Sequence, residues 1–122
     1  MWTSLSWLAG WQVLKPEFVT QYERRIINIH HSLLAAFSGA RPYDQAFARG
    51  IKLIGATSHH MTPVLDDVPI AEHDSIRVNH RGGLDDLIRK GCDLERLALA
   101  RGVRVHFVGR VLQCENRSIV FE

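Results

Sequence analysis

The sequence has few cysteines, no strong excess of one charge and no long apolar run, and each shortage argues against a class of protein. Cys92 and Cys114 are the only two cysteines in 122 residues and form no Cys-x-x-Cys pair, so a disulfide framework is not expected. Lys and Arg number 15 against 13 Asp and Glu, which gives no reason to expect nucleic-acid binding. No stretch approaches the ~20 apolar residues of a membrane span, and no signal peptide is apparent. We expect a cytoplasmic protein that binds neither nucleic acid nor membrane.

The remaining composition is that of an ordinary globular domain. Hydrophobic residues make up 46% and charged residues 23%, and the length predicts a single domain over 1–122. Apolar periodicity predicts helices over 16–23, 41–50 and 84–106, strands over 24–29, 51–61 and 69–78, and a terminal hairpin over 110–121. This order is typical of an α/β domain with a mixed open sheet. The continuous run at 24–29 favours a strand buried on both faces of a parallel sheet. In the helix predicted over 41–50, Phe47 is expected to face inward.

Polar side chains end the first strand abruptly. Asn28 and His30 are two residues apart, so they share a face of the strand about 6.6 Å apart. The amide of Asn28 can donate to a developing oxyanion, and the imidazole of His30 can move a proton near neutral pH. Such an imidazole needs a carboxylate to orient it, and Asp66 and Asp67 are the candidates in a loop between strands. Spacing alone does not bring them together.

Two less specific interpretations also fit these residues. Asn28 and His30 could simply cap backbone groups at the end of a strand. His59 and His60 suggest a metal site with His30 and His31, but adjacent strand residues point to opposite faces, so we expect no metal.

Several longer motifs indicate a family. They are LAGWQVLKPEFV, RIINIHHSLLAAF, GARPYDQA, GIKLIGATSHH, LDDVPI and RKGCDLERLALARGVR. Together they resemble the carboxyl-terminal half of the formyltetrahydrofolate deformylases, hydrolases of the formyltransferase superfamily with a Rossmann-like fold. The doubled histidine of NIHHS resembles the deformylase branch, because the related glycinamide ribonucleotide formyltransferases usually have NIHPS.

The resemblance implies a reaction and a site. Asn28, His30 and Asp66 match the catalytic triad of a family that hydrolyses 10-formyltetrahydrofolate to formate and tetrahydrofolate, in one-carbon metabolism and purine biosynthesis. Water is the nucleophile, and neither a metal nor another cofactor is implied. The residues matching the family's substrate pocket are Gln12, Val13, Leu14, His59, Val64 and Leu65.

The chain also departs from the family pattern. Val68 stands where the family has glycine after the catalytic acid, Ala35 replaces a proline, and the segment matching the pterin pocket is one residue short. We expect the family's amino-terminal half and regulatory domain to be absent from this chain. The alternative function is therefore an inactive remnant or interaction module that needs a partner, either a second copy or a complementing amino-terminal half.

Overall fold

The computed structural model describes residues 14–30, 41–63, 69–114 and 117–121. In chain order the elements are α1 (Pro16–Gln21), β1 (Ile27–His30), α2 (Pro42–Ala48), β2 (Leu53–His60), β3 (Ile70–Arg77), α3 (Leu84–Phe107), β4 (Val111–Cys114) and β5 (Arg117–Val120). This order confirms the predicted α/β class with an open sheet, and β4 and β5 pair antiparallel as the expected hairpin. No helix among the described residues is long and apolar enough to cross a membrane.

The main sheet has the order β1-β2-β3, which is also the order of the strands in the sequence. Both pairings are antiparallel, so the expectation that the first strand lies buried in a parallel sheet is wrong for the described part of the sheet. Residues of β1 alternate between half-buried and exposed. The apolar run Ile26–Ile27 misled the prediction because Asn28 and His30 already turn one face of β1 towards solvent.

Helix α3 covers one face of this sheet and supplies half of the core cluster. Its periodic side chains pack with α2 and β2, and the core cluster consists of Ala46, Ile54, Ala56, Leu87, Leu94 and Ala98. Arg101 of α3 also binds Asp74 of β3 through a 2.9 Å ion pair. The 3.6-residue pattern of α3 therefore predicted the burial of Leu87, Leu94 and Ala98 correctly, whereas Leu97, which the same pattern placed in the stripe, is exposed.

Short helices were predicted less accurately than α3. Phe47 was expected to face inward but is 47% exposed, while its neighbour Ala46 is fully buried. Ala46 and Phe47 are consecutive in the seven-residue α2 and so project about 100° apart, which buries Ala46 and turns Phe47 outwards. Gly50 then reverses the chain with φ of 62°, a conformation that glycine adopts without steric cost.

Candidate active site

The site forms on the face of the sheet away from α3. Strand parity places Asn28 and His30 on this face of β1, and both side chains are exposed. Antiparallel register pairs Asn28 with His59 and His30 with Thr57. Directly paired residues project to the same face, with Cβ atoms about 4.5–5.5 Å apart, so these four side chains form one polar block.

A third strand extends this block. Thr57 pairs with His73 of β3, and its Oγ1 lies 2.6 Å from the Nδ1 of His73. The register then shifts between Ser58 and His59, which is a β-bulge. Bulges are common next to functional sites because they redirect a side chain. Sequence reasoning missed Thr57 and His73; the one available signal was that Thr57 shares strand parity with His59.

The histidines of the block influence each other electrostatically. Burial lowers the pKa of His59, a backbone hydrogen bond with His60 partly opposes this, and the charge of a protonated His30 lowers the pKa further. Both effects favour a neutral His59 at physiological pH. The site can therefore offer an uncharged imidazole beside the exposed His30.

His60 lies on the opposite face, as strand alternation predicts. It is fully buried, and its Nε2 lies 3.1 Å from the Nδ1 of His106 in α3. His59 and His60 therefore do not converge on one ligand. Within the described ranges, no group of three or more His, Cys, Asp or Glu side chains is arranged to hold a metal ion.

Most of the remaining predicted site residues lie outside the described residues. These are Gln12, Val13, Val64, Leu65 and Asp66, and His31, Ala35, Asp67 and Val68 also lie outside them. Leu14 is described and is half-buried just ahead of α1. The structure thus brings together Asn28, His30 and His59, and it leaves the other site residues as predictions.

Comparison with known proteins agrees with this fold and shows the family. The Formyl transferase family matches residues 4–103, so the chain belongs to that family. Within it, the chain is 56% identical over 110 residues to a formyltetrahydrofolate deformylase from Synechocystis and 53% identical to one from Bacillus subtilis. These matches cover 90% of this chain but 38% and 37% of those relatives, so the chain spans less than two fifths of their length.

Solved structures give the same result. A formyltetrahydrofolate deformylase from Burkholderia mallei superposes with a TM-score of 0.84 at 47% identity, over 91% of this chain and 40% of that one. A phosphoribosylglycinamide formyltransferase from Anaplasma phagocytophilum gives a TM-score of 0.78 at 28% identity, over 93% of this chain and 57% of that one. The higher identity lies with the deformylases, in agreement with the resemblance of the NIHHS motif.

Proposed function

We propose that this chain supplies the catalytic residues for hydrolysis of 10-formyltetrahydrofolate to formate and tetrahydrofolate, as the names of its relatives suggest. The observation that carries the proposal is the polar block, in which Asn28 and His30 share a face with the half-buried His59. The reaction would serve one-carbon metabolism and purine biosynthesis, and the proposal requires neither a metal nor another cofactor.

The chemistry follows from these side chains. The oxygen of a water molecule bonds to the formyl carbon while His30 takes its proton. The amide of Asn28 donates to the oxyanion of the tetrahedral intermediate. The bond from carbon to N10 then breaks, and the proton held by His30 passes to N10. The products are formate and tetrahydrofolate.

Asp66 is proposed as the carboxylate that stabilises the protonated His30. The backbone N–H of His60 donates to the carbonyl of Pro69 at 2.9 Å, so the described residues on either side of the loop that carries Asp66 meet at the end of β2, next to His59.

The folate is proposed to lie against two segments that match the family's substrate pocket. One carries Gln12, Val13 and Leu14, and the other carries Val64 and Leu65. His59, which remains neutral in the site, would contact the substrate without repelling the protonated His30.

The test is a direct assay on the purified chain. Release of tetrahydrofolate from 10-formyltetrahydrofolate is followed for the parent, for His30→Ala and for His80→Ala, which removes an exposed histidine outside the block. We expect His30→Ala to lower kcat by about 10²-fold or more and His80→Ala to leave it unchanged. Equal rates for the parent and His30→Ala would refute the role of His30.

A second candidate function is supported by the length of the match and by the edge of β1. The chain spans 38% of the Synechocystis relative, and within the described sheet β1 pairs with β2 alone. The alternative is therefore a module that is inactive until a partner chain adds to this edge. Activity that depends on adding the unmatched part of the Synechocystis relative would favour this second function.

A further inference from the structure

We propose that His73 is a positioning residue for this site and acts on His30 through the hydroxyl of Thr57. The inference rests on the proposed hydrolysis and identifies a residue that the family motifs did not indicate. Its basis is a row of three side chains on consecutive strands, His30, Thr57 and His73, each directly opposite the next.

Thr57 lies at the centre of this row and is well placed to transmit an effect. It is 7% exposed, whereas His30 and His73 on either side are exposed. Direct cross-strand pairs have Cβ atoms about 4.5–5.5 Å apart, so the side chain of Thr57 lies between those of His30 and His73. The hydrogen bond to His73 holds the Thr57 hydroxyl in place on this face.

The hydrogen bond to His73 determines what Thr57 offers to His30. A threonine hydroxyl has one proton and two lone pairs, and a neutral imidazole has one donor and one acceptor nitrogen. We assign the Nδ1 of His73 as the acceptor of the 2.6 Å bond, so Thr57 donates its one proton to His73. Its lone pairs are then left to accept, and the ring N–H of His30, opposite Thr57 on β1, or the attacking water can donate to them.

This arrangement assists the step in which His30 takes a proton. An acceptor oxygen beside the ring stabilises the imidazolium and fixes the orientation of the ring. Without the Nδ1 of His73, the Thr57 hydroxyl can rotate and direct its proton towards His30, which removes that acceptor. His73 does not touch the reacting atoms, so its loss should reduce turnover and leave substrate affinity nearly unchanged.

Four single variants test the row. His73→Leu removes the acceptor, while His73→Asn places an amide oxygen near the position of Nδ1. Thr57→Val removes the hydroxyl at similar volume, while Thr57→Ser retains it. We expect His73→Leu and Thr57→Val each to lower kcat about 10-fold with KM within about twofold, and His73→Asn and Thr57→Ser to restore most of it.

The double variant Thr57→Val with His73→Leu provides the sharpest kinetic criterion. If His73 acts through Thr57, the double variant should be no slower than Thr57→Val alone. The proposal would be overturned if the kcat losses of the two single variants multiply in the double variant. It would also be overturned if kcat is unchanged in His73→Leu, or if His73→Asn is as slow as His73→Leu. If His73→Leu fails to fold, His73→Gln replaces it, because its longer side chain moves the amide away from the position of Nδ1.

A measurement without substrate separates this inference from the proposed function. Histidine ring ¹⁵N spectra of the full chain should show an unprotonated Nδ1 for His73, and this signal should move in Thr57→Val. The ring signals of His30 should shift in His73→Leu and return in His73→Asn. Such responses without any hydrolysis would support the row and refute the proposed function. Hydrolysis together with His30 signals that do not respond would support the proposed function and refute the row.

Discussion

The Nε2 of His60 lies 3.1 Å from the Nδ1 of His106, and this contact joins the end of β2 to the last turn of α3. His60 is fully buried, and its Nδ1 has no hydrogen-bond partner among the described residues. Burial, the charge of His106 and then that of His59 lower the pKa of His60 to about 4. Burial also lowers the pKa of His106, with the charge of Arg25 acting in the same direction. The pair is therefore neutral in the folded protein at neutral pH.

The first prediction is a loss of stability in mild acid. Because the unfolded chain takes up a proton at His60 near pH 6.5 and the folded chain only near pH 4, acidification favours unfolding. The free energy of unfolding should fall by about 2 kcal/mol from His60 alone between pH 8 and pH 5, as measured by urea titration.

His60→Phe should flatten that pH dependence, because it removes the buried titrating group. His80→Gln, which changes an exposed histidine, provides the control and should retain the parent's slope. An equal decrease in the free energy of unfolding of the parent and of His60→Phe would contradict the assignment of this pH dependence to His60.

The second prediction concerns the close approach of α3 to β2 at Gly102. A Cβ at this position would overlap the Oγ of Ser58 and crowd its Cβ. Alanine normally stabilises a helix interior by about 1 kcal/mol relative to glycine. We expect Gly102→Ala instead to lower the free energy of unfolding by about 1–3 kcal/mol, because overpacking outweighs helix propensity.

Ser58→Ala provides the matched test of that clash. The Oγ of Ser58 is buried without a hydrogen-bond partner among the described residues, so its removal alone should cost little. Combined with Gly102→Ala it should recover part of the lost stability. A Gly102→Ala protein as stable as the parent would show that α3 and β2 leave room for a methyl group between Gly102 and Ser58.

The third prediction concerns the hydroxyl of Tyr43. It donates to the Oε1 of Glu95 at 2.7 Å, and burial followed by this bond raises the pKa of Tyr43. Tyr43→Phe should lower the free energy of unfolding by about 1–2 kcal/mol, because it removes a hydrogen bond to a charged group. Tyr22→Phe removes a hydroxyl at the end of α1 and should change stability by less than about 0.5 kcal/mol. Equal effects in urea titration would argue against a special role for the Tyr43–Glu95 bond.

The fourth prediction separates Asn28 from other exposed amides. Asn28→Leu should lower kcat for 10-formyltetrahydrofolate by about 10²–10³-fold, since one oxyanion donor is lost. Asn79→Leu changes an amide oxygen that accepts from the backbone of Arg81 at 3.0 Å, and it should leave kcat unchanged. Similar rates for the two variants would exclude Asn28 as the oxyanion donor.

Much of the fold was predictable from local sequence pattern. The period of α3 and the alternation of β3 are both local properties, and both predictions agree with the structure. The strand parity of Asn28 and His30 is also local, and it correctly placed them on one face. The exposure of Phe47 was not predictable, because it depends on which face of α2 packs against α3.

The cross-strand part of the site required information that the sequence does not contain. His73 meets Thr57 because of the register of β2 with β3, and a shift of one residue would turn His73 to the other face. The bulge between Ser58 and His59 alters that register within the same pair of strands. Strand parity therefore grouped Asn28 with His30 and the family resemblance added His59, whereas Thr57 and His73 could not be identified.

The strand order β1-β2-β3 also determines how the site responds to thermal fluctuation. In the described sheet β2 has a strand on each side and β1 has one, so amide hydrogen exchange should be slowest in β2 and faster in β1. Asn28 and His30 therefore lie on the strand that opens more readily, while Thr57 and His59 lie on the one that opens last. A molecule that binds Asn28 and His59 together would close that opening, so the sheet gains protection when the site is filled.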